Sequence, residues 1–130
     1  MNLRSLTATK TLLPSFKFAD NKLIAYGYYM ASKSDLPSSK KLVWPVIQIL
    51  KNTSGSAQKS AIDSQIVASL MLSPELVAIR HDNSRAEYQY RVAWALSYGK
   101  KAGYFENPAR NQWVLTEKGR QVSSPAEITL

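Results

Sequence analysis

The sequence predicts a mainly α-helical domain with a small β-hairpin, an α+β fold, behind an N-terminal extension. Apolar residues recur at helical spacing from residue 42 onward, a long capped helix follows, and two short strands then flank a run of turn-forming residues. A polar stretch at residues 32–39 separates the extension from these elements. We therefore expect an extension and linker at 1–39, a folded domain at 40–122, and a flexible tail or the start of a linker at 123–130.

The N-terminal extension has the weakest pattern. Phe16 and Phe18 alternate around a lysine, as in a short strand. Asp20 is a candidate cap for a helix that would run to about Met30, although the aromatic run at residues 26–29 would suit a strand equally. We favour the helix.

Three helices are predicted after the linker. The first carries its apolar face on Leu42, Val46, Ile49 and Leu50, and Pro45 fits it only in the first turn or at a kink. Residues 52–56 then predict a plain turn. The second helix has Ile62, Ile66 and Leu70 on one face, and Ser73, Pro74 and Glu75 open a short third helix as cap, first residue and acidic residue at the positive end.

The fourth helix has the clearest start. Residues 84–87, Ser-Arg-Ala-Glu, match a capping box, and Gly103 is a typical helix-ending glycine. A projection at about 100° per residue separates an apolar arc from an outward arc. The apolar arc comprises Tyr88, Val92, Ala95, Leu96, Gly99 and Ala102, and the outward arc comprises Ala86, Tyr90, Ala93, Trp94, Ser97 and Lys101.

A hairpin and a short helix complete the predicted domain. The strands are residues 104–106 and 112–115, joined by a five-residue loop at 107–111, and Thr116 caps a helix from Glu117 to about Val122. The order of helices followed by a hairpin is that of a winged helix-turn-helix. In that arrangement one helix enters the major groove of DNA and the hairpin reaches out beside it.

Composition supports a nucleic-acid partner and excludes several other classes. Seventeen basic and nine acidic residues give a net charge of +8, without any basic tail. Cysteine is absent, and His81, the only histidine, is predicted to be a surface loop residue, so we expect no metal and no cofactor. Neither a catalytic triad nor a phosphate-binding glycine loop is present, which predicts that the chain is not an enzyme. No segment reaches the ~20 apolar residues that span a bilayer, so we expect a cytoplasmic protein without a membrane partner.

Nine residues are candidate DNA contacts. Guanidinium and amide groups early on the fourth helix are typical base readers, whereas lysines and the hairpin tip are expected at phosphates. The candidates are Arg85, Gln89, Tyr90, Arg91, Lys100, Lys101, Arg110, Asn111 and Lys118, with Arg120 just beyond. Two of these residues have structural alternatives. Arg91 could instead pair with Glu87, four residues earlier, and Tyr90 could be packed with Trp94 under another segment or a second subunit. Trp113 is predicted to be core.

Four segments together resemble a known family. Residues 91–95, 100–103, 108–110 and 113–120 closely resemble the N-terminal domain of Mrr-type restriction endonucleases, and residues 42–47 resemble its opening helix. The likeness spans about residues 40 to 122. It implies a winged-helix DNA-recognition module, which in full-length relatives precedes a metal-dependent nuclease domain that attacks modified DNA. Two departures stand out: Gly99 replaces the usual leucine, and Asn111 replaces the usual glycine at the hairpin tip, where asparagine tolerates a positive φ.

These observations predict a module that recognises double-stranded DNA in a restriction or related anti-foreign-DNA system, with sensing of modified DNA as an extension of that hypothesis. The chain would be either part of a longer nuclease or a separate subunit, so a nuclease domain or subunit is an expected partner. One alternative is a protein-association module, with Tyr90 and Trp94 buried in a homodimer. A second alternative is a small transcriptional regulator.

Overall fold

The computed structural model describes residues 31–130, and the expectations for the extension before residue 31 lie outside them. Lys33–Leu130 form one compact unit. A 3-10 turn at Lys33–Asp35 precedes the regular elements. These are α1 (Val43–Asn52), β1 (Ser56–Gln58), α2 (Lys59–Ser69), α3 (Pro74–Val77), α4 (Glu87–Lys101), β2 (Phe105–Ala109), β3 (Gln112–Leu115) and α5 (Glu117–Arg120), followed by a 3-10 turn at Pro125–Glu127.

The helices and the sheet enclose one apolar core. Pro45 lies in the first turn of α1, where its missing N–H costs no hydrogen bond. The Ser73 side chain caps α3 by accepting a hydrogen bond from the Leu76 N–H at 3.2 Å, as the sequence predicts. The largest fully buried side chains are Ile47, Leu50, Ile62, Ile66, Leu96, Phe105 and Leu115. They come from α1, α2, α4 and both hairpin strands. The core contacts of the buried side of α4 therefore fix the orientation of its outward side.

The sheet has a third strand that the sequence does not predict. Ser56–Gln58, expected to start in a plain turn, pair antiparallel with β3, so that the strand order is β1-β3-β2. The segment is short and polar, and its partner lies more than fifty residues later, so no local pattern marks it. Helices α1, α2 and α4 with a three-stranded sheet that ends in a hairpin make a winged-helix-like α+β fold. The predicted fold class is confirmed.

The hairpin turn is tighter than predicted. The first strand continues to Ala109, which leaves Arg110 and Asn111 as the turn in place of the predicted five-residue loop. Asn111 has a φ of +61°, the conformation that asparagine tolerates. The pairing shifts between Glu106 and Ala109, and the Asn107 side chain donates to the carbonyls of Ala109 (2.8 Å) and Gln112 (2.7 Å) across this irregularity. These bonds connect the two strands beside the turn.

The start of α4 corrects the predicted capping box. Asp82 Oδ1 accepts hydrogen bonds from the backbone and side chain of Ser84 and from the Arg85 N–H, which holds Ser84 in a turn before the helix. The helix begins at Glu87, and the Gln89 side chain accepts from the Ala86 N–H at 3.0 Å. The loop residue Asp82 therefore competes with the helix for Ser84.

The end of α4 is as predicted, and the segment after α5 makes contacts with the domain that the sequence does not predict. Gly103 follows the helix with a φ of +94°. Thr116 caps α5 by accepting from the Gly119 N–H at 3.0 Å. Residues 123–130, expected to be a flexible tail, contact the domain: the Thr129 N–H donates to the Tyr104 hydroxyl at 3.0 Å, and Ile128 packs against the core.

Candidate nucleic-acid interface

The outward side of α4 combines small, basic and aromatic side chains. Ala93 is half-buried, and Ser97 and both lysines of the last turn, Lys100 and Lys101, are exposed. Trp94 is 46% exposed, which confirms that it points away from the core of its own helix. Ala93 and Ser97 are the small side chains of this side.

Lys100 lies beside the hairpin. A cavity of about 400 Å³ at the end of α4 is lined by Lys100, Gly103, Phe105, Glu106, Asn107, Pro108 and Thr116. The last turn of the helix and the first hairpin strand thus share one surface, as the predicted arrangement requires. Glu106 brings one negative charge to this surface, and the structure shows no ion pair between it and Lys100.

The hairpin tip presents Arg110 and Asn111 to solvent, and both are exposed. The Asn111 carbonyl accepts from the Lys59 N–H at 2.8 Å, so the tip is anchored to the start of α2. Within residues 31–130, the structure gives no hydrogen-bond or ion-pair partner to the side chains of Lys100, Lys101 or Arg110. Three unneutralised cations therefore lie on α4 and the hairpin.

Arg85 and Gln89, the predicted base readers, flank the start of α4. The exposed Arg85 guanidinium lies 5.0 Å from the centre of the Tyr90 ring, a cation–π geometry. Gln89 is half-buried, and its side-chain oxygen is engaged by the Ala86 N–H. Arg85 is therefore the more accessible of the two, since the Gln89 side chain is half-buried and already hydrogen-bonded.

Arg91 has the structural role that the sequence left as an alternative. Its Nε donates to Glu87 at 2.8 Å, and Nη1 donates to the carbonyls of Leu36 (2.9 Å) and Pro37 (3.2 Å). These bonds attach the predicted linker to α4, and Leu36 is only 6% exposed. We therefore remove Arg91 from the candidate DNA contacts.

Glu87 is a buried carboxylate that joins three segments. Arg91 lies 2.8 Å away, His81 Nδ1 3.1 Å and Lys33 Nζ 3.6 Å. Burial would raise the pKa of Glu87, but the hydrogen bonds from Arg91 and His81 and the charges of Arg91 and Lys33 outweigh it and hold the pKa below its usual value. Glu87 is a structural anion rather than a candidate proton donor.

Two further predicted roles change. His81, expected to be a surface loop residue, is half-buried between Glu87 and Tyr90. Its ring stacks on the Tyr90 ring, with the ring centres 3.5 Å apart and the planes at 11°. Lys118, predicted to contact DNA, donates to the Ala102 carbonyl at 2.7 Å and so completes the C-terminal end of α4. Trp113 packs against the core, as predicted.

Tyr90 is part of an aromatic row along one side of α4. Tyr90, Trp94 and Tyr98 follow at intervals of four residues, with ring centres 6.5 Å and 5.7 Å apart. Lys40 lies 5.5 Å from the centre of the Tyr98 ring, at the far end of the row from Arg85. Sequence analysis missed Lys40 because it lies far from Tyr98 along the chain and on no helix.

The described residues show no metal-binding cluster. Among residues 31–130 there is no group of three or more histidines, cysteines or acids placed to hold a metal. Asp63 is buried, but both its oxygens accept from Lys59 at 2.7 Å, and Lys59 also donates to the Gln89 carbonyl. Burial raises the pKa of Asp63 despite this pair. The arrangement joins α2 to α4 at the core and has no open face for a substrate.

By its fold and its surface, the protein is a winged-helix-like domain with basic residues at the end of α4 and on the hairpin. Comparison with protein families then matches the Mrr N-terminal domain over residues 40–124, well over half of the chain. The chain belongs to this family, whose members are N-terminal domains of restriction-system proteins. The comparisons with curated proteins and with solved structures gave no match. Within residues 31–130, no helix is long and apolar enough to cross a membrane.

Proposed function

We propose that this chain is a double-stranded DNA-binding module of a restriction or related anti-foreign-DNA system. The observation that carries the proposal is a set of three exposed, unneutralised cations: Lys100 beside the hairpin, Lys101 next to it on α4, and Arg110 at the hairpin tip. Phosphate oxygens are the complementary partners of such groups. Family membership supplies the restriction-system context.

In the proposed complex α4 enters the major groove. A helix with its side chains is about 10–12 Å across and the groove is about 12 Å wide, so an outward side with Ala93 and Ser97 at its middle permits close approach. Arg85, at the helix start, is placed to reach base edges. Lys100, Lys101, Arg110 and Asn111 hold the sugar-phosphate backbone from the helix end and the hairpin.

Electrostatics favours this partner. Residues 31–130 contain thirteen basic and eight acidic side chains, a net charge of 13 − 8 = +5. The buried acids Glu87 and Asp63 are paired with Arg91 and Lys59 inside the domain. The unpaired positive charge is therefore left on the outer surface, where it attracts a polyanion.

Binding of a labelled random-sequence duplex, followed by fluorescence anisotropy, tests the proposal. We expect Lys100→Ala and Arg110→Ala each to weaken binding severalfold, because each removes a phosphate contact. Lys41→Ala is the matched control, since Lys41 is an exposed lysine in the turn before α1. Equal affinities for all four proteins, or no binding by the wild type at low salt, would contradict the proposal.

The proposal includes no catalysis by this chain, and cutting would depend on a nuclease domain or subunit as partner. Incubation of the purified chain with methylated and unmethylated DNA and magnesium or manganese should leave the DNA intact. Cleavage that a single substitution in this chain abolishes would overturn that part.

The exposed aromatic ring of Trp94 favours one second candidate, a protein-association module that forms a homodimer through α4. Sedimentation measurements test it. A dimer that Trp94→Leu converts to monomers, together with wild-type affinity for DNA in Lys100→Ala and Arg110→Ala, would favour this candidate over DNA binding.

A further inference from the structure

We propose that the aromatic row Tyr90–Trp94–Tyr98 binds unpaired nucleotides next to the duplex, so that the chain prefers DNA containing extrahelical or single-stranded bases. The inference deepens the proposed function and rests on it, because the duplex itself is held by the α4 end and the hairpin. It assigns a ligand class to the side of α4 that carries the row.

The first argument is the accessibility of Trp94. Tyr90 is stacked on His81 at 3.5 Å, and Tyr98 is half-buried, whereas Trp94 keeps 46% of its surface exposed between them. The neighbouring rings lie edge-on or tilted to it, at 74° and 37°. Contacts on both sides limit the motion of the indole, so its open part forms a pre-ordered surface for another flat ring.

The second argument is the charge around the row. Arg85 lies 5.0 Å from the centre of the Tyr90 ring at one end, and Lys40 lies 5.5 Å from the centre of the Tyr98 ring at the other. Beyond Tyr98, a cavity of about 480 Å³ is lined by Lys40, Tyr98, Lys101, Ala102, Lys118, Thr129 and Leu130, with no acidic side chain among them. A base would stack on the exposed ring of Trp94, while the cations donate hydrogen bonds to the phosphates.

The third argument is the path. From Tyr90 to Lys101 the helix rises about 16 Å, enough for a few nucleotides of an extended strand. Aromatic rings beside a positively charged groove are the recurring solution for single-stranded nucleic acid, because every base has a face that can stack. Lys101 belongs both to this cavity and to the proposed duplex face, so a strand leaving the duplex can continue along the row.

The same charges argue against a second copy of the chain as the occupant. An isologous dimer through the row would bring Arg85, Lys40 and Lys101 of both copies to one interface, and like charges there oppose association. A nucleic-acid strand supplies flat rings and negative charges together.

The test compares an intact duplex with the same duplex carrying a bulge of a few unpaired thymines, both measured by anisotropy with the full chain. We expect the wild type to bind the bulged DNA about tenfold more tightly, which is about 1.4 kcal/mol and within the range of one stacked base. Trp94→Leu should lose this preference, so that it binds both DNAs with about the same affinity, and Trp94→Phe should retain part of it.

Met71→Leu is the matched control, since Met71 is an 87% exposed apolar side chain away from the row, and it should keep the preference. Circular dichroism melting confirms that each variant is folded. Equal binding of both DNAs by the wild type would overturn this inference and leave duplex binding intact, whereas binding to neither DNA would overturn the proposed function as well. A bulge preference that survives Trp94→Leu, or a dimer that Trp94→Leu dissociates without any change in bulge preference, would also contradict the inference.

Discussion

The ring of Phe105 occupies the space that a Cβ on Gly99 would fill, so the missing side chain on α4 is replaced by one from β2. Gly99 is buried within the helix, and Phe105 is 1% exposed. The absence of a side chain at Gly99 therefore leaves no hole in the core. The contact couples α4 to the hairpin.

Gly99→Ala should destabilise the domain. Glycine to alanine in a helix normally stabilises by about 1 kcal/mol, but overpacking costs about 1–3 kcal/mol, and here the added methyl group would overlap an aromatic ring. We expect a net loss of stability in urea unfolding. The loss caused by Gly99→Ala should be smaller when it is measured against Phe105→Leu than when it is measured against wild type. Ser97→Ala, at an exposed position of the same helix, is the control. A Gly99→Ala protein more stable than wild type would show that the ring can move away.

Glu87→Gln should lower the free energy of unfolding of the domain at neutral pH and make it depend less on pH in the acid range. The folded-state pKa of Glu87 is lowered, so its stabilisation is present above the unfolded pKa of about 4.3 and is lost as the pH falls through the folded value. Replacing it leaves the half-buried Arg91 without its anion, which costs about 1 kcal/mol or more.

Unfolding free energies measured between neutral pH and about pH 3 test this role of Glu87. The raised pKa of Asp63 gives a slope of opposite sign, but it acts equally in both proteins and cancels in the comparison. Parallel curves for wild type and Glu87→Gln would show that Glu87 makes no pH-dependent contribution.

Asn111 should accept glycine and reject valine. Its φ of +61° is strained for a β-branched side chain, at a cost of about 1–3 kcal/mol, whereas glycine adopts it without strain. We expect Asn111→Val to lower the thermal midpoint and weaken duplex binding, since the turn also positions Arg110. Asn111→Gly should keep the stability near wild type. Equal stability of both variants would show that the turn adapts.

Arg85 and Lys100 should differ in what they contribute to binding. After selection of a preferred duplex from random sequences, Arg85→Ala should weaken that site by about 1–3 kcal/mol and leave non-specific binding nearly unchanged. Lys100→Ala should weaken all sequences about equally. Gln89→Ala is less informative, because its side chain also accepts from Ala86 at the helix start. If Arg85→Ala and Lys100→Ala behaved alike, α4 would not lie in the groove as proposed.

Local signals account for most of the fold. The 3.6-residue apolar spacing predicts the helices, and Gly103, Thr116 and Asn111 mark a helix end, a helix cap and a turn, because each has a conformational or hydrogen-bonding property that acts within a few residues. Strand β1 escapes prediction because its pairing with β3 is long-range and its sequence is polar. The start of α4 is mispredicted because Asp82 binds Ser84 and Arg85 before the helix can.

In the candidate site, too, features set by local sequence could be predicted and features set by tertiary packing could not. The exposure of Lys100, Lys101 and Arg110 follows from helix phase and turn position, so their placement could be predicted. The engagement of Arg91 by Leu36 and Pro37, and of Lys118 by Ala102, depends on tertiary packing between distant segments. For the same reason no pattern in the sequence indicates that Lys40 reaches Tyr98 or that His81 stacks on Tyr90.

The salt dependence of duplex binding tests the central claim most directly. If the α4 end and the hairpin neutralise about three phosphates through Lys100, Lys101 and Arg110, the logarithm of the binding constant should fall linearly with the logarithm of the salt concentration, with a slope of about −2.7 or steeper. Each of the three alanine variants should flatten this slope by about one unit, and Lys41→Ala should leave it unchanged. A slope near zero, or a wild-type slope in all three variants, would contradict the proposal that this face binds DNA.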